Sequence, residues 1–117
     1  MKMEGKTIKE MAVELTVELT ELCDIIDAKS IYKNQLLRSC SSIGANAHEA
    51  KYAHSRADFI SKLEISLKEC YETEYWLELF AKSGISDREI VKPLYEKCGV
   101  LRRILIASVN TAKKNMA

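Results

Sequence analysis

Apolar residues return at three- and four-residue steps along four successive stretches of this chain, and that rhythm leaves few folds open. Ile8, Met11, Leu15, Leu19, Leu22 and Ile26 form the first stripe, and Leu36, Cys40, Ile43, Ala47 and Ala50 the second. Ile60, Leu63, Leu67, Cys70, Leu77 and Ala81 form the third, interrupted by Glu74, and Val91, Leu94, Cys98, Leu101, Leu105 and Val109 the fourth. A stripe of this width is stable in water only when another covers it, and the available covers are the other three. One proline and four glycines in 117 residues leave little to break the helices, and a chain of this length can bury a sufficient core as one domain spanning 1–117.

Three start signals share one chemistry. Thr7 with Glu10, Ser55 with Asp58 and Ser86 with Glu89 each put a hydroxyl at an expected N-cap and a carboxylate three residues on. The first helix is expected from about Ile8 to Ile26. The second starts between Ser30, a candidate cap, and Asn34, and runs to about Ala53. The third covers about Arg56 to Lys82, with Ser83-Gly84 as its stop. The fourth covers about Asp87 to Lys113, with Pro93 either bending it or separating off a first turn. Connections this short force sequential neighbours to pack antiparallel. The expected fold is therefore all-α, an antiparallel up-down-up-down four-helix bundle.

Inside the second helix, the ten residues from Ser39 to His48 carry no formal charge at pH 7, in a chain where 30% of residues are charged. Its apolar stripe explains one side only. The far side holds Ser41, Ser42 and Ala45, where a monomer would show Lys and Glu, so about 15 Å of helix is expected to be covered twice. A subunit interface using Ser41, Ala45 and His48, with Trp76 of the third helix as a further anchor, is the reading these residues support.

The cysteines, Cys23, Cys40, Cys70 and Cys98, have neither C-x-x-C spacing nor partnering histidines. Three of them fall on or beside apolar helical positions and read as small core hydrophobes, which fits a reducing cytoplasm. No signal peptide or membrane-spanning run is recognisable. Charge alternates by helix: residues 7–27 hold one cation against six carboxylates and 29–54 four against one, then 55–82 four against six and 86–117 seven against three. Adjacent antiparallel helices complementing one another explain this most simply. The sharper alternative gathers Arg102, Arg103, Lys113 and Lys114, with Lys51 and Arg56, into a surface for nucleic-acid phosphate, local because the net charge is only +1.

Arg38, Ser42, Asn46 and Glu49 fall at steps of four, four and three and line one polar edge of the second helix, with Glu69, Glu72 and Thr73 as candidate partners on the third. A hydrogen-bonded seam is the expectation. Glu49, Glu69, Glu72 and Glu74 would suit a carboxylate-bridged metal site, but Ala45 and Lys51 stand three residues before His48 and His54, so the Glu-x-x-His ligand spacing is missing. No phosphate loop, nucleophile elbow or Cys-His spacing is visible. Tyr71, Tyr75, Trp76 and Phe80 read as packing residues, and Tyr32, Tyr52 and Tyr95 as isolated ones.

Arg38-Ser-Cys-Ser-Ser-Ile-Gly-Ala-Asn-Ala-His-Glu-Ala50, Ser55-Arg-Ala-Asp-Phe-Ile60, Lys62-Leu-Glu-Ile-Ser-Leu-Lys-Glu69 and Glu72-Thr-Glu-Tyr-Trp-Leu77 together resemble a bacterial four-helix-bundle family. This family includes proteins encoded in intervening sequences of large-subunit ribosomal RNA genes. The resemblance covers about forty residues of the second and third helices, and its pattern falls on Arg38, Ser42, Asn46, Glu49, Phe59, Leu63 and Glu72. Ala47 and His48 depart from the Ile-Ala or Ile-Arg usual after the asparagine. The resemblance implies a ring-like homopentamer without cofactor. Through a diverged relative, the accessory protein of diversity-generating retroelements, it also implies RNA or DNA and a reverse transcriptase as partners, although those accessory proteins are distinctly basic and this chain is nearly neutral. The leading expectation is a non-enzymatic homo-oligomer, most of whose interface comes from the second and third helices. Accessory nucleic-acid binding is the alternative, and a carboxylate-based enzyme or metal carrier the third reading.

Overall fold

Thr7 leaves the helical region (φ −77°, ψ 164°) and turns its hydroxyl onto the chain that follows: Oγ1 accepts from the Glu10 N–H at 3.1 Å and donates to the Glu10 carboxylate at 3.1 Å. A helix begins at the next residue. In the computed structural model, which describes residues 2–3 and 5–116, two-residue strands β1 (Lys2–Met3) and β2 (Lys6–Thr7) pair antiparallel ahead of four helices. These are α1 (Ile8–Ile25), α2 (Ser30–Ala50), α3 (Arg56–Lys82) and α4 (Arg88–Met116). Such short strands leave no periodicity to read, and the hairpin was not expected from sequence.

The remaining helix ends follow local chemistry. Ser55 caps α3 through the Asp58 N–H at 3.0 Å, and Gly84 takes the left-handed conformation (φ 77°) just past the end of that helix, as a C-terminal stop requires. Two expected boundaries are corrected. Lys29 holds the N-cap position of α2 without a side-chain bond, so Ser30 is the first helical residue and not the cap. At the other end α2 stops at Ala50 instead of Ala53. Lys51, Tyr52 and Ala53 donate to carbonyls three residues back, a tightened last turn that lets Ser55 reach its extended capping geometry.

Ser86 does not cap α4. Its N–H is drawn inward to the Phe80 carbonyl at 3.1 Å, which leaves the hydroxyl buried and, among the described residues, without a hydrogen-bond partner. Asp87 caps instead, its carboxylate accepting from the Glu89 N–H at 3.2 Å. Asp87→Ala should therefore cost about 1 kcal/mol, whereas Ser86→Ala, which removes an unsatisfied hydroxyl, should be neutral or stabilising. Urea unfolding of the two variants distinguishes these caps, and the reverse ranking would restore Ser86. α4 runs without interruption through Pro93, the sixth residue of the helix. So close to the N-terminus, the missing N–H removes only one of the first intrahelical bonds.

Cross-helix contacts descend along one helix as they climb the next. Ser39 and Ile43 of α2 meet Thr73 and Ser66 of α3, Glu74 and Glu64 of α3 meet Arg102 and Lys113 of α4, and Cys40 and Gly44 of α2 meet Thr16 and Ala12 of α1. Each helix also touches its neighbour around the circuit, α1 closing on α4. The result is an antiparallel bundle of 47 × 26 × 20 Å. Its core is the four stripes with their cysteines: Leu15, Leu19, Leu36, Ile43, Leu77, Phe80, Leu101 and Leu105 are sealed from water, each large apolar side chain contributing about 1.5–3 kcal/mol.

All four cysteines are free and buried. Burial pushes the Cys40 thiol up to about 12, against a smaller opposing effect from the Thr16 hydroxyl 3.3 Å away.

Candidate functional site: a polar seam and an apolar groove on opposite flanks of α2

The expected polar edge of α2 meets α3. Arg38 bridges two carboxylates, hydrogen-bonding Glu72 and lying 3.5 Å from Glu69. The other Glu72 contact comes from its own helix, the Trp76 indole N–H donating to the carboxylate at 3.0 Å. Tyr32 reaches across from the start of α2 to pack on the Trp76 ring at 6.2 Å, and Tyr75 meets it edge-on at 5.0 Å. Tyr32 is thus a cross-helix packing residue and not an isolated one. Nor is Tyr52 isolated, its ring standing against His48 at 5.4 Å.

Glu49 pairs with Lys62 at 3.1 Å, and the half-buried Asn46 returns its amide to the Ser42 carbonyl at 2.9 Å. Ser42 therefore enters the seam through its backbone. Thr73, expected on this edge, lies deeper: its hydroxyl donates to the Ser39 hydroxyl at 2.9 Å, and Ser66 donates to the Ile43 carbonyl at 2.8 Å, both within the buried α2–α3 interface. Most of these polar side chains find a partner, as buried polar groups usually do, but one Glu69 carboxylate oxygen is buried with only the Arg38 guanidinium 3.5 Å away and, among the described residues, no hydrogen bond.

The indole hydrogen bond, with Arg38 second among the favourable contacts, holds the Glu72 carboxyl below the usual carboxylate range. An unfolded chain therefore takes up that proton first as pH falls. The stabilisation is complete above the ordinary carboxylate value of about 4.3 and is lost as pH drops through the lower folded value. Glu72→Gln should lie below wild type at pH 7 and converge on it in acid, by less than about 1 kcal/mol for a pair this exposed. Urea midpoints from pH 3 to 7 test this, and parallel curves would exclude the linkage.

The opposite flank of α2 is different. Ser41, Gly44 and Ala45 form one wall of an apolar groove of about 200 Å³, and Ala12, Val13, Thr16 and Val17 of α1 form the other. Val13 and Val17 are each 50% exposed. The expected small-residue face is thus real, but it is completed by α1 and not by α3. Val13 and Val17 were legible as an i, i+4 apolar pair among the carboxylates of α1, a signal outweighed by the inward stripe. Trp76 lies on the other side of α2 within the tyrosine cluster, and His48 faces a separate pocket at the end of the bundle.

The four expected phosphate contacts do not form one free patch. Arg102 pairs with the buried Glu74 at 2.9 Å and Lys113 with Glu64 at 2.9 Å, while Arg103 and Lys114 are exposed, eleven residues apart on one stripe of α4. Cross-helix pairs, including Lys97 with Glu18, follow the alternation of charge between helices. Among the described residues no group of three His, Cys, Asp or Glu side chains gathers to hold a metal ion, and no helix is long and apolar enough to cross a membrane.

Comparison with known proteins agrees with this architecture. Residues 5–107 match the family model described as 23S rRNA-intervening sequence protein. No curated protein matches. The chain is similar to a crystal structure of a protein of unknown function from the S23 ribosomal protein family of Bacteroides thetaiotaomicron VPI-5482, at 38% identity and a TM-score of 0.82, over 88% of this chain and 98% of the other. With 103 of its 117 residues inside the family model, the chain belongs to the 23S rRNA-intervening sequence protein family.

Proposed function

We propose that this protein is a non-enzymatic assembly subunit, a four-helix bundle that self-associates as a ring of five copies. The groove of Val13, Val17, Ser41 and Ala45 carries the reading. Two valines half open to water, facing a helix flank without charge, make a surface that loses apolar area only when another chain covers it. Small residues on one wall also let a neighbouring backbone approach closely. The ring size follows from the family resemblance. The polar seam supports a structural role over catalysis, since its carboxylates face Arg38, Trp76 and Lys62 and not a common cavity. Four buried free thiols favour a reducing cytoplasm.

Light scattering on the purified chain at micromolar concentration tests the assembly. A mass near five times 13.3 kDa is expected, and a 13.3 kDa species would overturn it. Accessory binding of RNA or DNA beside a reverse transcriptase is a weaker reading, resting on the exposed Arg103 and Lys114 after Arg102 and Lys113 are assigned to carboxylates. Retardation of single-stranded nucleic acid at low salt that fades steeply as salt rises would raise it.

A further inference from the structure

At the end of the bundle where α1 and α3 begin and α2 and α4 finish, the helices leave a pocket of about 460 Å³. Its floor is apolar, made by Ile8, Ala50, Phe59, Leu63 and Ala112. Its rim is basic: Lys9, Lys51 and Arg56 stand around it with His48. Among the described lining residues there is no carboxylate, in a chain that holds 17. A neighbouring hollow shares Lys51, Arg56 and Phe59 and likewise shows no acid among its described residues.

The nearby carboxylates do not line the pocket: Glu49 pairs with Lys62, and Asp58 stands 3.5 Å from the His54 ring. Among the described residues, Lys9, Lys51 and Arg56 enter no ion pair, unlike Arg38, Arg102, Lys97 and Lys113. Two of these rim cations rest over aromatic faces instead: Arg56 lies 5.7 Å from the Phe59 ring centre and Lys51 6.0 Å from that of Tyr52. Such contacts hold a cation in place without neutralising it.

We propose that this pocket binds a small organic anion, a carboxylate bearing an apolar tail or ring. The tail lies on Ile8, Phe59 and Leu63, and the carboxylate meets Lys51 and Arg56. Each half of the site selects for one half of the ligand. An apolar floor favours a hydrocarbon tail, and cations at its rim that enter no ion pair among the described residues favour an anionic head over a neutral or cationic one. The volume falls within the range of small-molecule sites. Every wall comes from a single chain, so the proposal stands or falls separately from the assembly.

Calorimetric titration of the full chain with octanoate, octylammonium and octanol tests it. Octanoate should bind saturably at one site per chain and at least tenfold more tightly than either control. The double variant Lys51→Glu/Arg56→Glu alters two exposed side chains and should weaken octanoate at least tenfold without loss of helicity by circular dichroism. Ala47→Phe, which fills the pocket from the side, should weaken octanoate and octanol together. No saturable octanoate heat, equal binding of octylammonium, or an unaffected double variant would each overturn the proposal.

Discussion

Arg102→Ala should lower the unfolding free energy by about 3 kcal/mol, the lower part of the range for breaking a buried ion pair, because the Arg102 side chain keeps 27% exposure while Glu74 keeps only 10%. The variant leaves Glu74, buried within the apolar stripe of α3, without the guanidinium 2.9 Å away. It also removes the contact of that guanidinium with the Tyr71 ring at 5.9 Å. The control is the double replacement Glu74→Leu/Arg102→Met. Both charges go and the apolar stripe is completed, so stability should return to within about 1 kcal/mol of wild type or exceed it. Urea unfolding of the single and double variants decides the matter. A single variant as stable as wild type would mean that water already solvates Glu74.

Ala45→Glu should abolish the proposed assembly, reducing the scattering mass to 13.3 kDa with the far-ultraviolet circular dichroism unchanged. Ala45 is exposed on the outer flank of a helix, and glutamate is nearly as good a helix former as alanine, so the subunit itself loses little. In a covered groove the same carboxylate would lie against Val13 and Val17 without a partner, a burial that costs several kcal/mol. Each 1.4 kcal/mol is tenfold in affinity, so association should weaken by more than a hundredfold per contact. Val17→Glu, on the opposite wall, should behave alike. An undiminished mass in both variants would place the interface elsewhere.

Helix existence was legible because burial periodicity and capping are local: Thr7, Ser55 and Gly84 each act within a turn of their own position. The α4 cap was not, because Ser86 and Asp87 are adjacent and both competent. The choice fell to the Phe80 carbonyl, which holds the Ser86 backbone inward. The seam was legible in its charges, since Arg38 with Glu69 and Glu72 needs only complementary faces. Its hydroxyls were misassigned because the depth of Thr73 depends on how far α2 is rotated against α3. Tyr32 and Trp76 lie 44 positions apart, and only the packed register brings those rings together. The small-residue face was legible, but sequence reports that a flank is bland without saying which helix of the chain borders it, and in the fold that helix is α1.

The buried bonds from Thr73 to Ser39 and from Ser66 to the Ile43 carbonyl have a consequence beyond satisfaction. Leucines on facing rods can slide by one 5.4 Å turn and find comparable company, but such a shift breaks the Ser66 bond to the Ile43 carbonyl and parts Thr73 from Ser39, whose hydroxyls keep only the Glu69 and Leu36 carbonyls of their own helices. These two bonds therefore favour one height of α2 along α3. The same helix carries the bland flank along its middle and the cation-ringed mouth at its tip, so these two surfaces keep a constant offset. A molecule seated at the tip and a copy leaning on the flank would always meet the same ruler.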